Sequence, residues 1–486
     1  MSFRRGGAVF VGVDIGTSSV KAVMADERGV RLANYASSYG TNRSVAGAAE
    51  QFPADWIRHV EKALKLFADH ARAGDIVAIG ITSQVNTHVF CDQAGMPLCP
   101  AVTWQDTRPA KAAARLEALI DVETKIRALG APIPIDASHA LARMAWMAEE
   151  HPETWAATRH VMLPKDYVIA QLTGDLSADP ISAVGLVGEN FDYANDVLDL
   201  VPRAVELLPR LADPLEIAGT VRDGWPFEGI PVAVGTMDAW ASMFGLGVVS
   251  EGQGMYLSGT SEVLGLISRT RTGKEGVIVF PEWRGITLHA GPTQSGGATL
   301  EWLSRLLGKD VASLSAEATA TKVTAKSPLF LPHLSGERAP LWDAASRGAF
   351  SGLTGATGPE AFVIAAMEGV AFSARLALEA VEASGARSLA SVRHGGGGAM
   401  SDTWCQIRAN ALGKTMERVS GHEPGATGAL VIAGVACGAI ENLEAAAQSL
   451  VSVEREFLPG KADVEVANER FEAFQTLYRS LKPLND

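Results

Sequence analysis

The chain alternates short apolar runs with longer segments in which apolar residues recur every three or four positions. Short runs of this kind predict buried strands, and the longer spacing predicts amphipathic helices. The elements predicted in this way are strands over 9–13, 20–25, 76–82 and 232–234, and helices over 53–74 and 359–384. The second helix contains Gly369, which could interrupt its regular geometry. Strands and helices that alternate predict an α/β fold.

The length and the charge limit the class of protein. At roughly 150 residues per domain, 486 residues predict two or three domains, each large enough to bury a core. Asp and Glu number 55 against 42 Lys and Arg, which gives a net charge of −13, and no segment carries a basic run. A nucleic-acid partner is therefore not expected, because its binding needs a basic surface.

Neither a membrane span nor a secretion signal is expected. The apolar run at 8–13 is cut by Asp14, and the longest uncharged stretch, 425–440, is interrupted by glycine and too short to cross about 30 Å of hydrocarbon. The four cysteines show no metal-binding spacing, which is typical of reduced thiols. We expect a cytoplasmic protein without a membrane partner.

One short sequence recurs in the two halves of the chain. GTSSV at 16–20 returns as GTSEV at 259–263, an offset of 243 residues (259 − 16), which is half of 486. Gly-Thr-Ser is a common turn composition, so a chance recurrence is the alternative. A true duplication would give two similar halves on either side of a cleft, with the second half starting near 245–255.

Both Gly-Thr-Ser turns are candidate phosphate sites, because a tight turn directs backbone N–H groups and hydroxyls at an anion. An ordinary hairpin turn is the alternative for each. Asp14 precedes the first turn and Lys21 follows it, which suits a magnesium ion and a polyphosphate. Leu257 and Leu264 hold the equivalent places at the second turn. The metal and the transferred phosphoryl group are therefore expected nearer the first half.

Asp238 follows a predicted strand and a glycine, and it opens a helix rich in small residues. Active sites of α/β sheets lie at such strand ends. A carboxylate there could accept the proton of a substrate hydroxyl as that oxygen attacks a γ-phosphate. The alternative is a helix N-cap.

Two polar segments could bind a polyhydroxy ligand. Trp104, Asp106 and Arg108 combine an aromatic face with a carboxylate and a guanidinium, although a buried ion pair at the following helix would use the same residues. Gln84 and Asn86 lie just after the strand predicted at 76–82 and suit hydroxyl recognition. A polar turn is the alternative.

The glycine run at 395–398 follows His394 and is either a flexible loop or a flat surface for an adenine ring. The sequence contains neither an HExxH zinc motif, a GxSxG elbow nor a GxGxxG fingerprint, so the hydrolase and dehydrogenase interpretations lose their main support.

In this order along the chain, the segments from Val9 to about Ala439 resemble the motifs of the FGGY family of carbohydrate kinases. The segments that carry the resemblance are VGVDIGTSSVKAV, AVTWQDTRP, MLPKDYVIAQLTG, VGTMDAWASMFGLG, YLSGTSEVLG, GGATLEWL, LPHLSGERAPLWDAASRGAFSGLT and GGGGAMSDTWCQIRANALG.

The resemblance implies two ribonuclease-H-like α/β domains of the actin and hexokinase superfamily, flanking a cleft for nucleotide and sugar. Residues 1–247 would form the sugar and Mg/γ-phosphate side, and 248–486 the nucleotide side. ATP and Mg²⁺ are the implied cofactors, and a sugar or polyol the substrate. Asp238 would be the general base, and Asp14 the carboxylate associated with magnesium.

The resemblance also implies binding roles for fourteen further residues. The residues implied on the nucleotide are Thr17, Ser18, Lys21, Gly259, Thr260, Gly297, Gly397, Gly398 and Asp402. The residues implied on the sugar are Gln84, Asn86, Trp104, Asp106 and Arg108.

The specificity segment departs from two patterns of the family. Xylulokinases usually carry Gln-Met-His-Gly where this chain has QVNT at 84–87, so Asn86 replaces the histidine. Glycerol kinases usually carry Arg-Glu there, although WQD at 104–106 matches theirs, and Ala239 replaces the Asn or Gln that commonly follows the base. LSGERAP and GGATLEWL favour the xylulokinase-like branch.

We therefore expect a kinase of xylulose or a related sugar. The alternatives are a glycerol, tetritol, pentitol or gluconate kinase of the same family, or an actin- or Hsp70-like ATPase that needs no sugar. A dimer interface has no signature in this sequence, so the oligomeric state is not predicted and a homodimer stays an open alternative.

Overall fold

A computed structural model gives the structure of residues 7–319 and 323–485. The predicted outer limits at residues 1 and 486 lie outside these described residues. The strands are β1 (Val9–Ile15), β2 (Ser19–Asp26), β3 (Arg31–Ser38), β4 (Glu50–Gln51), β5 (Ile76–Ser83), β6 (Val89–Cys91), β7 (Ala101–Val102), β8 (His160–Met162), β9 (Ser177–Ala178), β10 (Arg210–Leu211), β11 (Ile217–Thr220), β12 (Pro231–Ala233), β13 (Gly254–Ser258), β14 (Glu262–Ile267), β15 (Ile278–Val279), β16 (Leu288–Pro292), β17 (Leu329–Leu331), β18 (Ala349–Ser351), β19 (Ser391–Gly395), β20 (Thr415–Val419) and β21 (Val453–Phe457). The helices are α1 (Pro53–Ala68), α2 (Ala110–Glu117), α3 (Val122–Leu129), α4 (Ala140–Glu150), α5 (Pro152–Ala157), α6 (Pro164–Thr173), α7 (Asn195–Leu198), α8 (Ala204–Leu207), α9 (Asp238–Gly245), α10 (Gly297–Leu307), α11 (Val311–Thr319), α12 (Pro359–Ser384), α13 (Asp402–Leu412), α14 (Pro424–Ala436), α15 (Leu443–Leu450) and α16 (Lys461–Asn485).

Two large sheets have the same central strand order. The first runs β11-β12-β5-β1-β2-β3, and the second runs β15-β16-β14-β13-β19-β20-β21. In each, a hairpin (β1–β2 or β13–β14) is extended by an antiparallel third strand, while two parallel strands follow on the other side of its first strand. The predicted α/β fold with two similar halves is therefore confirmed at the level of strand order.

The chain forms two compact units. One consists of the described part of Met1–Gly245 with Glu423–Leu450, and the other of Leu246–His422 with the described part of Val451–Asp486. The first unit thus ends its long segment two residues before the predicted boundary at 247. A division at one boundary does not account for α14 and α15. These helices come late in the chain but pack in the first unit, where α14 lies on β1 and β5.

The predicted elements are present, with two corrections. The helix predicted over 53–74 ends at Ala68, because the His70 N–H bonds to Phe67 O and the His70 ring accepts from Arg72 N, which turns the chain. Helix α12 spans the predicted 359–384 without interruption at Gly369, where a Cβ would lie 2.3 Å from Phe330 O, so close packing explains that glycine. This helix is long and apolar enough to cross a membrane, but 78% of its most apolar window is buried in the fold.

Helix α14 packs against its neighbours backbone to backbone. A Cβ at Gly12 in β1 would lie 1.9 Å from Ala426 O, and one at Gly80 in β5 would lie 1.9 Å from Ala429 O. The same contact recurs against α9, where a Cβ at Gly428 would lie 1.6 Å from a backbone oxygen. Glycine inside a strand permits this close approach of two backbones. The packing sets α14 and α9 directly on the strands that end at the candidate site.

Candidate functional site

The first Gly-Thr-Ser turn joins β1 to β2 in the first unit. The two strands pair with Asp14 opposite Lys21, and the Gly16 N–H donates to Ser19 O at 3.0 Å to close the turn. Ser18 is exposed, and Thr17 is half-buried. The strands predicted at 9–13 and 20–25 are thus joined by this turn as a hairpin, which places an acidic and a basic residue opposite each other beside accessible hydroxyls.

Asp14 and Asp238 belong to the same unit and interact electrostatically. Burial raises the pKa of Asp14 to about 6; the Lys21 ammonium lowers it, and the Glu423 carboxylate raises it. Burial also raises the pKa of Asp238 to about 7, and the negative charge of Asp14 contributes to that rise. Two carboxylates that disfavour each other's charge are typical of a site that holds a cation or moves a proton.

Asp238 is the first residue of α9, as predicted. The chain leaves β12 through Gly235, whose φ of 70° is left-handed and whose Cβ would lie 2.2 Å from Ile81 O. Oδ1 of Asp238 accepts from the adjacent Ala239 N–H at 2.8 Å. An N-cap would accept from an N–H two or three residues on. Within the described residues, this carboxylate forms no salt bridge and no hydrogen bond with another side chain, which leaves it open to a ligand.

The surroundings of Asp14 fit a magnesium ion. Its Oδ1 is buried and has no hydrogen-bond partner. A Cβ at Gly425, in the first turn of α14, would lie 2.5 Å from Oδ2, so this helix begins directly against the carboxylate. No group of three or more His, Cys, Asp or Glu side chains forms a metal cluster in the part of the chain that the structure describes. Mg²⁺ bound with a nucleotide commonly needs only one or two carboxylates, since phosphates and water complete its shell.

Gln84 and Asn86 follow the end of β5. The Gln84 amide donates to Gln51 Oε1 at 2.8 Å, while its own Oε1 is buried without a partner. Asn86 has a left-handed φ of 54°, and its amide lies 3.4 Å from the Ser138 hydroxyl. Gln51 also donates to Thr17 O at 2.6 Å, so this polar segment is bonded to the first turn.

Trp104 is tied to the same turn, while Asp106 and Arg108 pair with each other. The Trp104 indole N–H donates to Thr17 Oγ1 at 3.0 Å. The Asp106 side chain is fully buried, and its oxygens accept from Ala49 N at 2.9 Å and from the Arg108 backbone and guanidinium. Arg108 also pairs with Glu50 at 2.7 Å. These contacts match the buried ion pair that the sequence left open, so Asp106 has no free oxygen for a sugar.

The second Gly-Thr-Ser turn joins β13 to β14 in the second unit. The Gly259 N–H donates to Ser261 O, and Gly259 O accepts from Gly297 N, each at 2.9 Å. A Cβ at Gly297 would lie 2.8 Å from Gly259 O, so the start of α10 is packed on the turn. Thr260 is exposed at its tip. The structure therefore brings together Gly259, Thr260 and Gly297, three of the residues that the resemblance implies on the nucleotide.

The glycine run is an ordered turn rather than a loose loop. Residues Gly397–Met400 form a 3₁₀ turn, and Gly398 O accepts from the Arg408 guanidinium at 2.9 Å. Arg408 in turn forms a fully buried ion pair with Glu262 in β14 at 2.6 Å. Asp402, the first residue of α13, pairs with Arg418 and Arg455 and is half exposed.

Sequence reasoning missed several residues that border the candidate site. Gln51 and Ser138 bond to it as described above, and the Tyr39 hydroxyl donates to Gly16 O. The fully buried Arg143 donates to Thr103 O at 2.5 Å and to Asn86 O, which joins two polar segments. A lone basic residue on an otherwise apolar helix face, LARMAWM, was the available signal for Arg143.

Comparisons with known proteins agree with this arrangement. The family model described as the N-terminal domain of FGGY carbohydrate kinases matches residues 9–245, and that of the C-terminal domain matches 254–437. The chain is 29% identical to a xylulose kinase of Escherichia coli, with 98% of this chain and 100% of that protein covered. It is 33% identical to a xylulose kinase of Streptomyces coelicolor, with coverages of 99% and 96%.

A solved structure of similar sequence has the same fold. The crystal structure of a "xyloylose kinase" from Brucella ovis aligns with a TM-score of 0.86 at 28% identity, over 98% of this chain and 100% of that one. With both family models matched in order over most of its length, this chain belongs to the FGGY family of carbohydrate kinases and is a two-domain sugar kinase.

Proposed function

We propose that this protein transfers the γ-phosphoryl group of ATP to a hydroxyl of xylulose or a closely related ketopentose, with Asp238 as the general base. The relatives reported above, named xylulose kinases, support this substrate. The reaction class follows from the family, and the choice of sugar and of residues is our proposal.

The open carboxylate of Asp238 is the observation that carries the proposal. It lies at the start of α9, accepts one hydrogen bond from a backbone N–H and has a pKa raised to about 7. A general base works best when its pKa lies near the working pH. Asp238 would accept the proton of the sugar hydroxyl as that oxygen attacks the phosphoryl group.

The first turn would hold the reacting end of ATP. Thr17 and Ser18 offer hydroxyls and Lys21 an ammonium on the strand opposite Asp14. Asp14 would hold a magnesium ion through its unpartnered Oδ1. Such an ion neutralises charge on the transferred group, and these residues orient it and keep it in line with the acceptor.

The polar segment beyond β5 would bind the sugar. The buried, unpartnered Oε1 of Gln84 is an acceptor for one hydroxyl, and Asn86 can bond another. Trp104 would offer its ring to the carbon face. Asp106 and Arg108 would act by bonding this segment to Ala49 and Glu50, since direct contact of Asp106 with the sugar would require its ion pair to open.

The second unit would bind the rest of the nucleotide. Gly259, Thr260 and Gly297 form one glycine-lined surface, and Gly397 and Gly398 form another. Asp402 would contact the nucleotide only from its exposed side, because its carboxylate pairs with two arginines.

The test is a panel of acceptors, incubated with Mg-ATP while ADP release is followed: D- and L-xylulose, D- and L-ribulose, pentitols, glycerol and gluconate. We expect release with a ketopentose, abolished in Asp238→Ala and retained in the control Asp69→Ala, which removes a carboxylate just beyond the end of α1. Turnover by Asp238→Ala close to that of the wild type would remove Asp238 from the base role.

A polyol or aldonic acid is the second candidate substrate. The amide side chains of Gln84 and Asn86 favour it, because they bond hydroxyls without requiring a ketone. Turnover with a pentitol, glycerol or gluconate, and none with a ketopentose, would select it. Equal ATP hydrolysis with and without every acceptor would instead contradict both substrates.

A further inference from the structure

The MLPKDY segment has no role in the site described above, yet it supplies an ammonium and a carboxylate to the interior of the first unit. Lys165, Asp166 and Asp179 are each at most 2% exposed. The Lys165 ammonium lies 2.5 Å from Asp166 Oδ1 and 2.9 Å from Asp179 Oδ2. Burial alone would lower the pKa of Lys165, but the two carboxylates outweigh it and raise that pKa above its usual value. The three residues therefore form one buried charged triad.

This triad is bonded to the chain segment that leads from β12 to Asp238. Lys165 donates to Val234 O at 3.3 Å, and the Thr236 hydroxyl donates to Asp179 Oδ1 at 2.8 Å. Asp179 Oδ1 also accepts from Ser182 N at 2.9 Å. Thr236 is thereby held through its side chain only two residues before the proposed base.

The backbone of the same segment is held from the other side by β5. The Thr82 hydroxyl donates to Thr236 O at 2.6 Å, and Ser83 and Met237 form a parallel bridge. Among the described residues, the Asp238 carboxylate accepts a hydrogen bond only from the backbone N–H of its neighbour Ala239. Its carboxylate is consequently located by the backbone of 234–237 rather than by partners of its own.

A buried charged triad adds little to the free energy of unfolding, because removing its charges from water costs free energy. Ion pairs removed from water often contribute no more than a well-packed apolar replacement. Directional bonds from such a group do, however, fix the atoms that they reach, and an active site needs its reacting groups held in place. The triad fits this second role because two of its three members bond to residues 234 and 236.

We propose that Lys165, Asp166 and Asp179 are positioning residues that hold Thr236 and so set the place of the Asp238 carboxylate. The inference rests on the proposed function, in which Asp238 is the base. It assigns a role to MLPKDY that acts on the chemical step and leaves the binding of either substrate unchanged.

The decisive variant is Thr236→Val, which keeps the branched shape and removes the hydroxyl that bonds Asp179. Its rescue variant is Thr236→Ser, which restores a hydroxyl. The matched control is Thr158→Val, because Thr158 is also fully buried in this unit and its hydroxyl donates to Thr154 O at 2.8 Å, outside the site. For each variant we would measure the melting temperature, the KM for sugar and ATP, kcat, and the single-turnover rate of phosphoryl transfer.

We expect Thr236→Val to lower kcat and the single-turnover rate about 10- to 100-fold while both KM values stay within about threefold, since small misplacements of a catalytic group cost rate. Thr236→Ser should recover most of the rate. Thr158→Val should lower the melting temperature by a similar amount with kcat unchanged. If the valine variant does not fold, the smaller Thr236→Ala takes its place.

The two proposals fail in different ways. Normal kcat in Thr236→Val beside an inactive Asp238→Ala would overturn the positioning role alone. Turnover in Asp238→Ala would overturn the proposed base, and this inference with it. A rate loss in Thr158→Val equal to that in Thr236→Val would also overturn the inference, because any lost buried hydroxyl would then suffice.

Discussion

The contact between α9 and α14 gives a prediction whose size can be worked from the structure. A Cβ at Gly428 in α14 would lie 1.6 Å from Ala241 O in α9, and a Cβ at Gly245 in α9 would lie 1.9 Å from Pro424 O. Side-chain carbons essentially never lie closer than 3.0 Å to another heavy atom, so Gly428→Ala is short of space by about 1.4 Å. The atom it meets is a helix carbonyl oxygen, which cannot rotate away as a side chain could.

The helices must therefore separate, and the separation reaches the site at two points. Helix α9 begins with Asp238, and α14 begins against Asp14. Overpacking of a core costs about 1–3 kcal/mol, and we expect the upper end because backbone has to move. A displacement of about 1 Å at a catalytic group costs up to roughly 100-fold in rate. Gly428→Ala should thus lose both stability and most of its kcat.

The matched control is Gly74→Ala, because a Cβ there has no atom within 4 Å and the residue has no left-handed φ. It should change stability by less than about 1 kcal/mol. Urea unfolding followed by circular dichroism gives the midpoint, and ADP release gives kcat. A Gly428→Ala protein with the midpoint and kcat of the wild type would refute the backbone-to-backbone contact on which the reasoning depends.

Two further predictions concern buried charge and pH. Glu262→Ala leaves the buried Arg408 without its carboxylate and should lower the free energy of unfolding in urea by about 3–5 kcal/mol. The control Glu379→Ala, at a half-exposed helix pair, should lower it by less than about 1 kcal/mol. Equal losses would contradict the burial argument. Burial lowers the pKa of His139 to about 4 in the folded protein, whereas the unfolded chain takes up this proton near pH 6.5. The contribution of neutral His139 to the free energy of unfolding is therefore fully present above pH 6.5. It falls by up to about 3 kcal/mol as the pH drops to 4. Melting temperatures across that range should show a shallower pH dependence in His139→Asn, and an unchanged slope would contradict this assignment.

The strands and the two turns were predictable from the sequence because their signals are local. The apolar run at 9–13 became Val9–Ile15, and the run at 76–82 became Ile76–Ser83. The helix at 53–74 was predicted too long, since the chain turns where the Arg72 N–H donates to the His70 ring, a bond that the spacing of apolar residues does not reveal. The return of α14 to the first unit was also out of reach, because it depends on contacts more than 400 residues apart in sequence between Gly12 and Ala426.

The charged residues of the candidate site could be proposed from the sequence, but the bonds that they form with distant residues could not. Asp14, Lys21 and Asp238 were singled out as candidates because they lie beside a turn or at a strand end, and the hairpin register puts Asp14 opposite Lys21. Asp106 was expected to be a sugar contact or part of an ion pair, and only the structure shows both of its oxygens bonded. Glu423 contributes to the field at Asp14 from the far end of the chain, which no local pattern indicates.

The two halves show that a fold can be duplicated without its chemistry. Strand order and turn closure are fixed by backbone pairing, and both sheets satisfy them in the same way. Charge depends instead on the side chains that flank each turn. The first turn has Asp14 and Lys21 beside it, whereas Leu257 and Leu264 take those places at the second. The acidic group near the second turn, Glu262, forms a fully buried ion pair with Arg408. Among the described residues, a buried carboxylate oxygen without a hydrogen-bond partner is therefore found beside the first turn, on Asp14. Under the proposed function, this asymmetry puts the magnesium ion and the phosphoryl transfer in the first unit and leaves the rest of the nucleotide to the second.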